Sequence, residues 1–429
     1  MAARDDRPLA AQAWLRAPAS RRVLAALGAD GRPARFVGGC VRDGLLGLPD
    51  VRELDVATPE RPQQVIRLLE RAGLPAIPTG LAHGTVTTIA DGRHFEITTL
   101  RRDVACDGRH AEVEFTDDFV LDAARRDFTI NAMSCDGDGR LFDYFGGRAD
   151  LAAGRVRFVG EAHARIAEDY LRILRFFRFF ARYGLPPADP EALAACAAAA
   201  PELRRLSGER IQAEMTKLLG AEDPLPALRL MVETGVLAEV IPGPVALDRL
   251  ARLIDVAPER DALVRLAALL RPPPADPAAA GQVAERWRLA NRDAARLLAM
   301  TQEPLPELSA SPAERARDLH RLGAERYGDL VRIAAADSEA DPAVALADAL
   351  AVAAAWQPKR LPVGGDDILA LGVPAGPRVG AILAALEAWW VANDFGPDRA
   401  ACLAEARRLA REDTGGAAQG EDIGGAASG

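Results

Sequence analysis

The chain has 429 residues, 49% of them hydrophobic, and a formal net charge of −9, enough for roughly three compact units with real cores. That acidic balance excludes a protein coated in basic surface for bulk nucleic-acid binding, which rests on neutralising phosphates, while a local basic stripe stays allowed. No apolar run approaches the ~20 residues of a membrane span, and the acids of MAARDDRPLAAQAWL do not suit a signal peptide, so a soluble chain with no membrane partner is expected. Five scattered cysteines (Cys40, Cys106, Cys135, Cys196, Cys402), never spaced as CxxC, point to neither a disulfide framework nor a zinc site, and a reducing cytoplasm fits.

In chain order, residues 10 to 28 read as one amphipathic helix with a break expected near Pro18. Next, FVGGCVRDGLLGLPDVRELDVAT at 36 to 58 opens with a strand end, turns through Gly38-Gly39 and continues with helical spacing. Adjacent glycines let the backbone approach a ligand, and a helix start with Arg42 one turn in favours a phosphate. Glu53 and Asp55 are two apart, so on a strand they share a face while Leu54 points to the core. Two such carboxylates beside an anion seat suit a pair of divalent ions holding a triphosphate; a solvated strand face beside an ordinary turn is the plainer alternative.

Residues 62 to 73 form a helix ending at Gly73, and two strands, His83 to Ala90 and His94 to Leu100, join through Asp91-Gly92 as a hairpin. Glu96 on the second strand is a candidate third metal carboxylate, or a half-exposed strand glutamate. Arg101 to His110 reads as a polar, mobile loop before a strand at Ala111–Phe115. Asp122, Arg125, Arg126 and Asp127 precede an apolar, strand-like run, Phe128 to Met133. An arginine pair can grip phosphate oxygens and a neighbouring carboxylate can accept a ribose hydroxyl, although such runs are commonly surface salt bridges.

From Asp150 onward the periodicity is helical. The segment 164 to 184 predicts one helix with a broad apolar face and, opposite, Glu168, Asp169, Arg172, Arg175, Arg178 and Arg182. Pairs such as Glu168 with Arg172 would stabilise a solvated face. Asp169 and Arg172 would also point the same way, one turn apart. A carboxylate beside a guanidinium accepts from an exocyclic amino group and donates to the adjacent ring nitrogen, which accepts cytosine and adenine and rejects guanine and uracil.

The ordered blocks GGCVRD, ELD, RRDVACDGRH, RRDFTINAM, FGGRADL, EDYLRILRFFRF and SGERIQAEMTKLL resemble the class II tRNA nucleotidyltransferases, the CCA-adding enzymes, which share ancestry with bacterial poly(A) polymerases. The resemblance runs from Arg35 to about Leu219 and returns at VANDFGPDRAACLAEARRL, 391 to 409. It implies an α+β fold: an N-terminal nucleotidyltransferase head of the polymerase-beta-like kind with a mixed sheet, followed by an all-α neck, body and tail. The expected divisions are an N-terminal helix at 1–30, the catalytic head at 31–149, a neck at 150–245 with the base-reading helix, a body and tail at 246–410 that bind tRNA, and a disordered tail at 411–429.

Carried over by position, the resemblance puts phosphate binding on Gly39 and Arg42 with Gly38 beside them, the metal carboxylates on Glu53 and Asp55, a triphosphate contact on Arg126 and the ribose near Asp127. It puts base reading on Asp169 and Arg172, with further nucleotide contacts at Arg175 and Arg178. The partners implied are the tRNA 3′ end, CTP and ATP, with Mg²⁺ as cofactor and no obligate protein partner. Glu53 stands where the family has Asp; the extra methylene moves the oxygens by about 1.5 Å, which leaves room for a slower enzyme or one preferring Mn²⁺. Partial CCA addition, poly(A) synthesis and a catalytically inactive nucleotide-binding relative stay open as alternatives.

Overall fold

The protein's computed structural model describes residues 8–49, 51, 53–106, 111–271, 278–338 and 341–415. It divides into one unit of Met1–Leu247 with Arg260–Ala294, and another of Asp248–Glu259 with Ala295–Gly429. Among the described residues no helix is long and apolar enough to cross a membrane.

In the first unit the opening helix breaks where expected. α1, Ala13–Arg16, stops at Ala17, and α2, Pro18–Leu27, starts afresh with the proline in its first turn, where its missing amide hydrogen costs nothing. β1, Arg35–Val37, leads through Gly38 into α3, Gly39–Leu45; β2, Leu54–Thr58, follows, then α4, Pro62–Arg71. β3, Ile77–Gly80, β4, Thr85–Ala90, and β5, Arg93–Thr99, come next. Asp91 and Gly92 both have positive φ, 49° and 74°, the conformation that a two-residue hairpin turn matching the strand twist demands. β6, Arg101–Cys106, and β7, Ala111–Phe115, pair with each other, and α5, Phe119–Ala124, begins behind the N-cap Asp118. β8, Ser134–Cys135, and β9, Leu141–Phe142, complete a seven-stranded sheet of order β3-β4-β5-β2-β1-β8-β9. Its one parallel contact is β2 with β5, so the sheet is mixed, as expected.

Helices follow: α6, Gly147–Ala152, α7, Ala162–Glu168, α8, Leu171–Tyr183, α9, Pro190–Ala199, and α10, Gly208–Leu219. α8 docks on the head through rings. Phe128 lies 4.9 Å from Phe158 and 5.2 Å from Phe179, and Phe158 stacks on Phe176 at 6.0 Å. Phe128, Phe158 and Phe176 are fully buried, so about 1.5–3 kcal/mol of hydrophobic stabilisation per ring fixes α8 against the head. The second unit is helical, with a core that includes Ile368, Leu386, Trp390 and Cys402.

Four expectations are corrected. The segment 164–184 is two helices: Asp169, at φ −158° and ψ 108°, leaves the helical region, and its carboxylate accepts from the Leu171 amide to start α8. Phe128–Met133 is no strand; Thr129–Asn131 makes a 3₁₀ turn, and Phe128 forms only an isolated bridge with Phe158. The polar run from Arg101 to Cys106 is strand, paired antiparallel with β7, while 107–110 lie outside the described residues. The helix Arg399–Gly415 runs into the segment expected to be disordered, the rest of which, 416–429, lies outside the described residues.

Candidate active site

β2 carries the acid chemistry. Leu54 and Val56 are 1% and 0% exposed and face the core, which leaves Asp55 on the opposite face. Asp55 sits in register with Glu96 across the parallel β2–β5 pair, so the two carboxylates are strand neighbours. Glu53 falls one residue before β2 starts and is exposed, so it is a lead-in residue and not a strand residue as expected. Burial first, then the Glu96 charge, with a smaller push from Glu53, raises the Asp55 carboxyl to about 6; Arg126 is the cation that opposes them. Among the described residues no group of three His, Cys, Asp or Glu side chains is arranged to hold a metal ion by itself. The donor set still fits a divalent cation: a half-buried acid destabilised by two like charges gains most from one, and a nucleotide's phosphate oxygens can complete the coordination.

Beside this edge lies the glycine turn. Gly38 has φ +71°, a backbone conformation that favours glycine, and a Cβ there would stand 2.8 Å from Arg126 Nη1, the tip of a long side chain. Arg126 lies against this turn, its Nη1 donating to the Asn131 carbonyl at 3.4 Å and its Nη2 3.4 Å from Asp122 Oδ2. Arg42, on α3, is 7% exposed; its Nε donates to Asp43 Oδ1 at 2.8 Å and its Nη1 donates to Asn131 Oδ1. The Tyr183 ring, 4.2 Å from the guanidinium carbon, covers one face, and the Tyr183 hydroxyl donates to the same Asp43 oxygen. Burial pushes that phenol up to about 12.

Asp127 is held from several sides. It is 8% exposed, and its Oδ1 accepts from Asn131 Nδ2 at 3.0 Å and from the Phe128 amide at 2.8 Å, while Oδ2 accepts from Arg175 Nε at 2.8 Å. Burial alone would raise its pKa; Arg175 and these hydrogen bonds instead hold it below the ordinary carboxylate range. Both oxygens are thus hydrogen-bonded within the protein, to Asn131, Phe128 and Arg175.

Asp169 and Arg172 are not paired with each other. Asp169 Oδ2 accepts from Arg210 Nη2 at 2.6 Å, whereas Arg172 reaches Glu168 Oε2 at 2.5 Å and the Arg165 carbonyl at 2.7 Å. The break at Asp169 explains the difference, because it removes the common helical face that the spacing assumed. Arg175 and Arg178 both approach Glu214, at 3.8 Å and 2.5 Å, and burial lowers the Arg178 pKa despite that partner. Sequence reasoning missed Asp43, Asn131, Tyr183, Arg210 and Glu214. For the last two a signal existed: four apart on α10, they share the face turned to α8.

Residues 34–157 match the family described as Poly A polymerase head domain, and residues 188–247 match the one described as Probable RNA and SrmB- binding site of polymerase A. The CCA tRNA nucleotidyltransferase 1, mitochondrial, of Homo sapiens is 52% identical over 188 residues, 43% of this chain and 43% of that protein, so the match spans less than half of that relative. The CCA-adding enzyme of Lacticaseibacillus paracasei is 31% identical over 375 residues, 85% of this chain and 89% of the bacterial protein. The crystal structure of the Bacillus stearothermophilus CCA-adding enzyme in complex with CTP has a TM-score of 0.74 at 28% identity, covering 93% of this chain and 100% of that chain. With likeness sustained over nearly the whole of a bacterial relative, and a mixed-sheet head carrying acids beside a glycine turn, the chain belongs to the family of the CCA-adding enzymes.

Proposed function

We propose that this protein adds CCA to the 3′ end of tRNA without a template, taking CTP and ATP and releasing pyrophosphate. The observation that carries the reading is the Asp55 edge: a carboxyl raised to about 6, flanked by Glu53 and Glu96, with Arg126 beside it against Gly38. Glu53 and Asp55 would hold the divalent ions, Mg²⁺ or Mn²⁺, and Glu96 would bias their charge from the neighbouring strand. The chemistry that ions held there would supply is to lower the pKa of the attacking 3′-hydroxyl and to neutralise the triphosphate.

The chain's own residues do the rest by positioning. Gly38 and Gly39 let the triphosphate lie close to the backbone, while Arg42 and Arg126 supply its counter-charge. Asp127 holds Arg175 in place, and Arg175 and Arg178 keep the helix that carries Arg172 charged towards the nucleotide. Asp169 and Arg172 read the base after leaving Arg210 and Glu168 for it. The buried free thiols of Cys40, Cys135, Cys196 and Cys402 support work in a reducing compartment, the cytoplasm.

The decisive assay gives the purified chain Mg²⁺, one nucleotide at a time, and tRNAs ending before the first C, before the second C and before A, and sequences the products. CTP should extend the first two and ATP the third. Addition of C residues alone, or a run of A residues, would replace this reading with a narrower or a different polymerase, and no addition with normal CTP binding would make the chain a nucleotide-binding relative.

A further inference from the structure

Arg42 has three guanidinium nitrogens and the fold commits two of them, Nε to Asp43 and Nη1 to Asn131. The third, Nη2, is turned towards the glycine turn: a Cβ built on Gly39 would lie 3.6 Å from it. What fixes this orientation is the amide of Asn131, 7% exposed in the 3₁₀ turn Thr129–Asn131. Its Nδ2 donates to Asp127 Oδ1 at 3.0 Å, and Asp127 is kept ionised by Arg175 on α8. A carboxylate on one side and a guanidinium on the other allow the amide only one sense, nitrogen to Asp127 and oxygen to Arg42. Flipping it would set NH₂ against a cation and a carbonyl against an anion.

We propose that Asn131 is a positioning residue that aims the Nη2 edge of Arg42 at a triphosphate lying against Gly39. This inference rests on the nucleotide-binding reading above. Asn131 touches no nucleotide; it acts through Arg42, so removing it weakens the grip on the β- and γ-phosphates and spares recognition of the base.

The test is calorimetric titration of the full chain with CTP, CMP and pyrophosphate, for the wild type, Asn131→Ala, Arg42→Ala and the double variant. Asn131→Ala should bind CTP and pyrophosphate about tenfold more weakly, the scale of one charge-assisted hydrogen bond, and bind CMP as the wild type does. In the Arg42→Ala background, Asn131→Ala should cost nothing further, because a residue that works through Arg42 has nothing left to orient. Equal weakening of CMP and CTP, or the same tenfold loss without Arg42, would assign Asn131 a merely structural role and overturn the proposal. Should circular dichroism show Asn131→Ala unfolded, Asn131→Ser is read by the same criteria. A wild type that binds no CTP removes the nucleotide-binding reading and this inference together, whereas unaltered pyrophosphate affinity in a folded Asn131 variant removes only the inference.

Discussion

Arg175 on α8 and Asp127 in the turn after α5 form an ion pair, Nε to Oδ2 at 2.8 Å, that ties the neck helix to the floor of the head. Forty-eight residues separate them in sequence, yet the pair sits where the Phe128, Phe158, Phe176 and Phe179 rings already press α8 on the head. Packing brings the helix near and the ion pair fixes its rotation. Deleting the Asp127 charge leaves Arg175 with only the more distant Glu214, 3.8 Å away, in a poorly hydrated place.

Asp127→Asn should therefore destabilise the folded chain by about 2–3 kcal/mol, less than a fully buried pair because Arg175 is 31% exposed. Asp127 titrates lower in the folded protein than the ordinary 3.8, so the unfolded chain binds more protons in that window. Its contribution is complete above pH 3.8 and is lost as the pH falls towards the folded value. Urea unfolding at pH 7 should separate Asp127→Asn from the wild type, and the two should converge in strong acid. A constant gap across that range would deny the pair its role.

Asp55 has the opposite sign. Its carboxyl, raised to about 6, holds protons that the unfolded chain has already released, so ionising it costs stability as the pH rises from 3.8 towards 6. In EDTA at pH 7.5, Asp55→Asn should melt a few degrees above the wild type, on the order of 1 kcal/mol being worth a few degrees in a chain of this size. The same variant should transfer no nucleotide. A lower melting temperature would show that the acid is there for stability.

Much of this arrangement was legible in the sequence, and the gaps have physical causes. Alternation in LDVAT put Asp55 opposite Leu54 and Val56, and Asp91-Gly92 announced its hairpin, because both signals are local. Asp169 misled for a reason of its own: aspartate can cap a helix start as readily as it can ride on one, and the hydrophobic period runs through the break without a fault. Asp127 and Asn131 were obscure because their partners, Arg175 and Arg42, arrive from distant parts of the chain, which no spacing rule reports.

Glu53, proposed to hold a metal ion, would bear on which ion is used. It is exposed and precedes β2, so the strand does not fix its backbone as it fixes Asp55, and its longer side chain suits the looser shell of Mn²⁺ better than the strict octahedron of Mg²⁺. Glu53→Asp should lower the ratio of the Mn²⁺-supported to the Mg²⁺-supported rate of CTP addition severalfold. An unchanged ratio would show that the first acid does not discriminate between the ions.

The separated states of Asp169 and Arg172 give the last prediction. With Asp169 on Arg210 and Arg172 on Glu168, each group proposed to read the base starts in an ion pair that a nucleobase would have to replace. Such exchange is cheap only because both pairs are partly exposed, the side chains being between 12% and 31% accessible. Arg172→Ala leaves a carboxylate that accepts from an amino group but nothing to donate to the ring nitrogen. Selection of CTP over UTP should then fall by about one to two orders of magnitude, the worth of one bidentate contact, with tRNA affinity unchanged. Steady-state addition of C and U to a tRNA lacking its last three nucleotides measures this directly, and selectivity equal to that of the wild type would take base reading away from α8.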